Sequence, residues 1–504
     1  MNVIKLSGSS LTIEQVVKVA KERARVEITP EAMERLQASR ALVFELAESN
    51  VPVYGFNTGV GWNKDKRVFK EFFEQYNRNL ILSHTLGVGP MASEEEVRAT
   101  MLCRLNPLLL GVTGVQPEIA VMYADMLNAG IHPVIPERGS VGMADITNLS
   151  HIGLAMIGEG EVIYQGSLMP ASEALSRAGL KPVSLGPKDG LAIVSSNALA
   201  AGQGTLLLHE IRRTIDLADL IYASSLEGLN GNTSPLDIKV HQVRPYAGQG
   251  YSAGRMREYL EGSYIWEPDW KKPVQDPLCF RDAAQIHGSV RDALKYVEDL
   301  MLIHINSSDD NPCVILEDKR MISCANFEVT NWAMGFEMLG LGLGQLSKAS
   351  CYRSIKLGNP EFSRLPRFLA PADNVLGFAT LQKVYTSLDT EIRHLMNPAI
   401  GDYFSLAGDI EDHATSVAYI VQKTRRMLDD LHYILGIEMM HAAQAIDLRN
   451  DIHIGKGTKA AYKVFRNELP FYDTDRNLSV DIEKACQAVR SGKLLEAAET
   501  AVGR

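Results

Sequence analysis

Tyr54 opens the glycine-rich run Tyr54-Gly55-Phe56-Asn57-Thr58-Gly59-Val60-Gly61. A phenol ionises near pH ~10, so Tyr54 can take a proton only where cations or backbone dipoles favour its phenolate. Flanking glycines let backbone amides approach it, and Arg281 is a cation that could add charge. The plainer reading is a turn tyrosine packed over a helix end. Arg281 follows Gln275-Asp276-Pro277. Its planar guanidinium suits a substrate carboxylate, with an ion pair to Asp282 as the structural alternative. Glu411 leads Glu411-Asp412-His413. A carboxylate accepts from an imidazole N–H and finds no partner on a benzene ring; alternatively Glu411 caps a helix beside Asp412. Lys383 lies in a helical pattern over 377–385. Solvation is the ordinary state of a lysine, and a cation facing an electron-rich sulfur is the chemical alternative.

The elements that must position these groups are mostly helices. Apolar residues recur at three and four over 13–26 and 30–47, the second run opening with Thr29 as N-cap and Pro30 in the first turn. Long helical patterns cover roughly 191–229, 281–306, 326–350, 374–396 and 410–445. Strand-like stretches are short, at 161–164 and 312–316. The expected fold is therefore mainly α, an elongated helical bundle, with a loop-rich active-site domain at 1–190 and a long-helix domain at 191–504.

Composition narrows the functional classes. Lys and Arg number 51 against 61 Asp and Glu, a formal charge of −10, and the two signs are mixed along the chain. That excludes nucleic acid as the main partner. No window approaches a membrane span and the N-terminus lacks a signal-like apolar stretch, so no membrane association and a cytoplasmic location are expected. The six cysteines show no close pair in sequence, so they are read as reduced and mostly buried, and no metal is expected.

Eight segments, taken in order, resemble the signatures of the histidine and aromatic amino acid ammonia-lyases. They are the Tyr54 loop, Asn79-Leu80-Ile81-Leu82-Ser83-His84, Gly139-Ser140-Val141-Gly142, Gln275-Asp276-Pro277 with Arg281, Asp310-Asn311-Pro312, Asn326-Phe327, Glu411-Asp412-His413 and Ala443-Gln444-Ala445-Ile446-Asp447-Leu448-Arg449. The resemblance implies the fumarase/aspartase-like helical fold, a homotetramer whose active sites are shared between subunits, and a lyase acting on a small-molecule substrate. It gives Tyr54 the abstraction of a β-proton. His84, Ser195, Asn197, Arg281 and Asn311 become substrate-binding positions, and Glu411 and Lys383 are directed to the bound ring.

The chain departs from the family where the family makes its electrophile, a methylidene-imidazolone formed from Ala-Ser-Gly. After Gly142 this chain reads Met143-Ala144-Asp145, and Ala144 has no hydroxyl to lose as water. No cofactor is expected. Ser195 stands where the family carries the asparagine supporting that ring, and Leu278 where it usually carries a tyrosine. A quaternary ammonium needs no such electrophile, because it leaves with a permanent charge and has no lone pair. With Glu411 facing an imidazole and Lys383 facing sulfur, the expected substrate is ergothioneine, cleaved to trimethylamine and thiourocanate. Another histidine betaine such as hercynine, or a non-catalytic binding protein, are the alternatives. Trp62, Trp266, Trp270 and Trp332 are candidates for an aromatic wall around the trimethylammonium, with core packing the plainer role for each.

Overall fold

A computed structural model of the chain describes residues 3–47, 52–401, 403 and 405–504. It is mainly helical, as expected, and among the described residues the strands form only small two- and three-stranded sheets. The helix at Pro30–Ala47 begins as read, with the Thr29 hydroxyl accepting from the Ala32 N–H at 3.3 Å. The longest helices are Ala198–Leu229, Ala283–His304, Thr330–Leu357 and Val417–Leu448.

Two of the long patterns resolve differently from the expectation. The 191–229 pattern is a short helix, Asp189–Val194, then a break at Ser195–Asn197 before Ala198–Leu229 begins. The 410–445 pattern becomes helical only at Val417, after Ser416 takes a positive φ of 54°. Both breaks place polar side chains at loop positions, where they can turn toward a ligand.

The stretch Asp189–Leu229 also corrects the expectation that no window approaches a membrane span. By length and composition it would qualify, yet that window is wholly buried within the fold. Leu199, Leu206, Ile211, Ile215 and Ile221 lie on different sides of the helix and all are buried, as in a helix surrounded by other helices.

The chain divides into two compact units. The first comprises Met1–His209, Val297–Phe336 and Ala399–Gln422; the second comprises Glu210–Tyr296, Glu337–Pro398 and Lys423–Arg504. The boundary read at 190/191 falls inside the first unit, whose first segment runs on to His209 and to which the chain returns twice. Within the second unit Glu438, fully buried, accepts from Ser225 at 2.8 Å, Ser350 at 2.5 Å and Arg353 at 2.6 Å. Removing one partner of such a pair would leave an uncompensated buried charge, so the pairing fixes how three long helices register.

Candidate active site

The Tyr54 loop folds back on itself, and the Gly61 N–H donates to the Tyr54 hydroxyl at 3.0 Å. Burial pushes this phenol above its ordinary range. The Gly61 N–H pulls it down, and the charge of Glu411 adds to the rise. Gly61 has φ +54°, and a Cβ there would stand 3.3 Å from Glu411 Oε1. The glycine thus serves both the turn and the approach of the carboxylate.

Glu411 is held by a tight turn. Leu406 and Glu411 exchange backbone hydrogen bonds of 2.9 and 3.3 Å, and the Tyr403 hydroxyl donates to the Glu411 carbonyl at 3.2 Å. At the tip of this turn Gly408 adopts φ +64°, and a Cβ there would approach the Trp62 ring to 2.9 Å. The following helix starts at Val417, so the helix-capping alternative for Glu411 is not realised.

The opposite wall is built from 139–147 and 195–197. The Ser140 hydroxyl donates to Asp145 Oδ1 at 2.5 Å and accepts from the Gly142 N–H at 3.0 Å. The Asp145 N–H donates to the Ser196 carbonyl at 2.7 Å, and the Ala200 N–H donates to Asp145 Oδ2 at 3.0 Å. Burial pushes the Asp145 carboxyl up to about 6. Ala144, buried, takes φ +66°. A buried charge network adjoins these segments, and of its members only Asp310 falls in one of the family-like motifs. Arg104 pairs with Asp309 at 3.0 Å, and fully buried Lys188 pairs with Asp310 at 2.7 Å. Asp309 also accepts from the Ser196 hydroxyl at 2.7 Å and the Asn197 N–H at 2.9 Å. The signal for this network was the doubled acid before Asn311.

These walls enclose a cavity of about 650 Å³ within the first unit, lined by Tyr54, His84, Ser195, Asn311 and Glu411 together with Trp62, Met143 and Phe327. That volume suits a small molecule. The His84 Nδ1 lies 2.8 Å from the Leu80 carbonyl, which can only accept, so Nδ1 carries the proton and a neutral His84 keeps Nε2 as acceptor. Asn311 accepts from the Cys324 N–H at 2.9 Å. Asn197 does not line the cavity; its amide donates to the Phe327 carbonyl at 2.6 Å.

Arg281 and Lys383 belong to the second unit and do not line this cavity. Arg281, half-buried, ends the short turn of helix Leu278–Arg281 and makes no ion pair among the described residues, so the Asp282 alternative is not realised. Lys383 is exposed in the first turn of Leu381–Leu395, and among the described residues it has no ion pair. Among the described residues no lysine or arginine lines the cavity. Of the tryptophans only Trp62 lines it. Trp332 is core, 5.1 Å from the His304 ring and 6.1 Å from the Phe336 ring, while Trp266 and Trp270 lie in the second unit. Among the described residues no group of His, Cys, Asp and Glu could hold a metal.

Comparison with known proteins gives this geometry its setting. The family model for aromatic amino acid lyases matches residues 11–467. A histidine ammonia-lyase of Myxococcus xanthus is 39% identical over 99% of both chains, and one of Treponema denticola is 37% identical over 99% of both. The crystal structure of ergothionase from Treponema denticola, in complex with desmethyl-ergothioneine sulfonic acid, superposes with a TM-score of 0.96 at 48% identity, covering 98% of this chain and all of that one. Histidine ammonia-lyase from Trypanosoma cruzi superposes with a TM-score of 0.91 at 30% identity, over 99% and 96% of the two chains. The chain belongs to the aromatic amino acid lyase family, has the family's helical fold, and is a carbon–nitrogen lyase.

Proposed function

We propose that this lyase eliminates trimethylamine from ergothioneine to give thiourocanate, using Tyr54 as β-proton base and no electrophilic prosthetic group. The observation that carries the proposal is the 143–145 segment. A methylidene-imidazolone needs a serine to dehydrate and a free amide nitrogen to close the ring. Here the central residue is Ala144, and the amide that follows it is engaged with the Ser196 carbonyl at 2.7 Å. These residues do not fit the group. Identity supports the substrate: the chain shares 48% with the Treponema denticola ergothionase and 37% with that organism's histidine ammonia-lyase.

In the proposed reaction the Tyr54 phenolate removes the β-proton. The C–H electron pair becomes the new Cα=Cβ bond, and the C–N pair departs with neutral trimethylamine. The leaving group is permanently cationic, so it needs no activation. Glu411 accepts from a ring N–H and Lys383 stabilises charge that moves into ring and sulfur. Because among the described residues no lysine or arginine lines the cavity to meet the substrate carboxylate, Arg281 and Lys383 are proposed to come from neighbouring copies in a homotetramer with shared sites, in the cytoplasm. A cation arriving this way would also favour the phenolate and offset the burial that holds the Tyr54 phenol above its ordinary range.

Incubation of purified protein with ergothioneine tests the proposal. One trimethylamine should appear for each thiourocanate. Failure to release trimethylamine from folded protein would overturn it.

A further inference from the structure

The reading of the cysteines as having no close pair holds in sequence but not in space. The strands Cys313–Ile315 and Arg320–Ile322 form an antiparallel hairpin in which Cys313 faces Ile322. Side chains alternate along a strand, so Cys324, two residues past Ile322, continues on the same face as Cys313. The two Sγ atoms lie 3.6 Å apart, and both stand within reach of the Asp310 carbonyl, at 3.5 Å from Cys313 and 3.3 Å from Cys324. Cys313 is buried and Cys324 is half-buried.

This pair is wired into the cavity wall. The Cys324 N–H donates to Asn311 Oδ1, and the Asn326 amide lies 3.5 Å from the Cys313 sulfur. Asn311 and Phe327, the neighbours of these contacts, both line the cavity. A bond between the sulfurs would require them to close by more than an ångström, drawing together the segments that carry Asn311 and Phe327.

We propose that Cys313 and Cys324 form a redox-active dithiol site that reacts with low-molecular-weight disulfides and reshapes the cavity when oxidised. The half-buried Cys324 reacts first, its thiolate attacking one sulfur of the incoming disulfide and displacing the other as a thiolate. Cys313 then gives up its proton to solvent and attacks the Cys324 sulfur, releasing the second thiol. The protein loses two hydrogens, and the external disulfide becomes two thiols. Burial and the charge of Cys324 hold the Cys313 thiol up, at about 12. The mixed disulfide removes the Cys324 charge, so the second step is eased by the first.

Treating the full-length protein with excess oxidised glutathione, then alkylating and measuring intact mass, tests the chemistry without reference to any substrate. The expected result is the loss of two hydrogens and two alkylation sites, a cross-linked 313–324 peptide after digestion, and reversal by reduced glutathione. Cys313→Ser should stop at a glutathione adduct on Cys324, and Cys103→Ser should behave as wild type. Hydrogen exchange around 310–312 and 324–328 should change on oxidation, and lyase turnover should fall roughly ten- to a hundred-fold, as for a small misplacement of a site wall. Full alkylation of both cysteines after glutathione treatment, or an adduct on Cys324 that never resolves, would overturn the dithiol site. A cross-link that leaves both exchange and turnover unchanged would overturn its coupling to the cavity.

Discussion

Tyr54 and Glu411 meet across a single glycine: the Gly61 N–H donates to the Tyr54 hydroxyl at 3.0 Å, and the Gly61 Cα faces Glu411 Oε1 closely enough that a methyl would stand 3.3 Å away. The proposed base and the proposed ring acceptor therefore sense each other's charge. Their coupling has a definite sign, since the carboxylate makes the phenolate harder to form.

Because the deprotonated phenol is the active form and burial holds the phenol above its ordinary range, kcat/KM for ergothioneine should climb with pH through the alkaline range. Tyr54→Phe should remove that limb and lower kcat by a factor on the order of 10² to 10⁴, the range for losing a general base. Glu411→Gln removes a negative charge beside the phenol, so the limb should move to lower pH even as turnover drops. A pH–rate profile of each variant checks both. An alkaline limb that survives in Tyr54→Phe would mean another group takes the proton.

Lys383→Met should lower ergothioneine turnover by roughly 10² to 10³, appearing in kcat and not only in KM, as expected for a contact that strengthens in the transition state. The loss should be far milder for hercynine, which has no sulfur. Equal losses on the two betaines would detach Lys383 from the sulfur.

Among the described residues Trp62 is the only tryptophan on the cavity wall, and the Gly408 turn packs against its ring. Contact between a quaternary ammonium and an indole face is worth about 0.5 to 2 kcal/mol. Trp62→Leu should thus raise KM roughly two- to thirty-fold with folding intact, while Trp266→Leu, in the second unit, should not. Unchanged KM in the first variant would assign the trimethylammonium to another surface.

Much of the site was legible because motif residues mark loops, and loops sit where helices end. Tyr54, His84, Ser195, Asn311 and Glu411 were each named from the sequence and converge on one cavity. The long helical pattern misled at 410–416, where Ser416 takes a positive φ and the helix starts only at Val417. Proximity across a hairpin is invisible to linear spacing, so Cys313 and Cys324 read as unrelated. The buried pairs Arg104 with Asp309 and Lys188 with Asp310 were hidden for a related reason: each cation is far in sequence from its acid, and the two meet only after folding.

Intact mass should equal the encoded mass, because the Asp145 amide is hydrogen-bonded and Ala144 has nothing to dehydrate. Mass spectrometry of native, active protein checks this. A deficit matching two waters would reveal a cyclised, dehydrated backbone and contradict the cofactor-free reading.

Parallel turnover of ergothioneine, hercynine and L-histidine by one preparation tests the central claim most directly. Histidine must expel its amine unassisted, so the account predicts kcat/KM for ergothioneine highest, hercynine lower, and urocanate from histidine undetectable. Urocanate formed from histidine at a rate comparable with trimethylamine release from either betaine would contradict it.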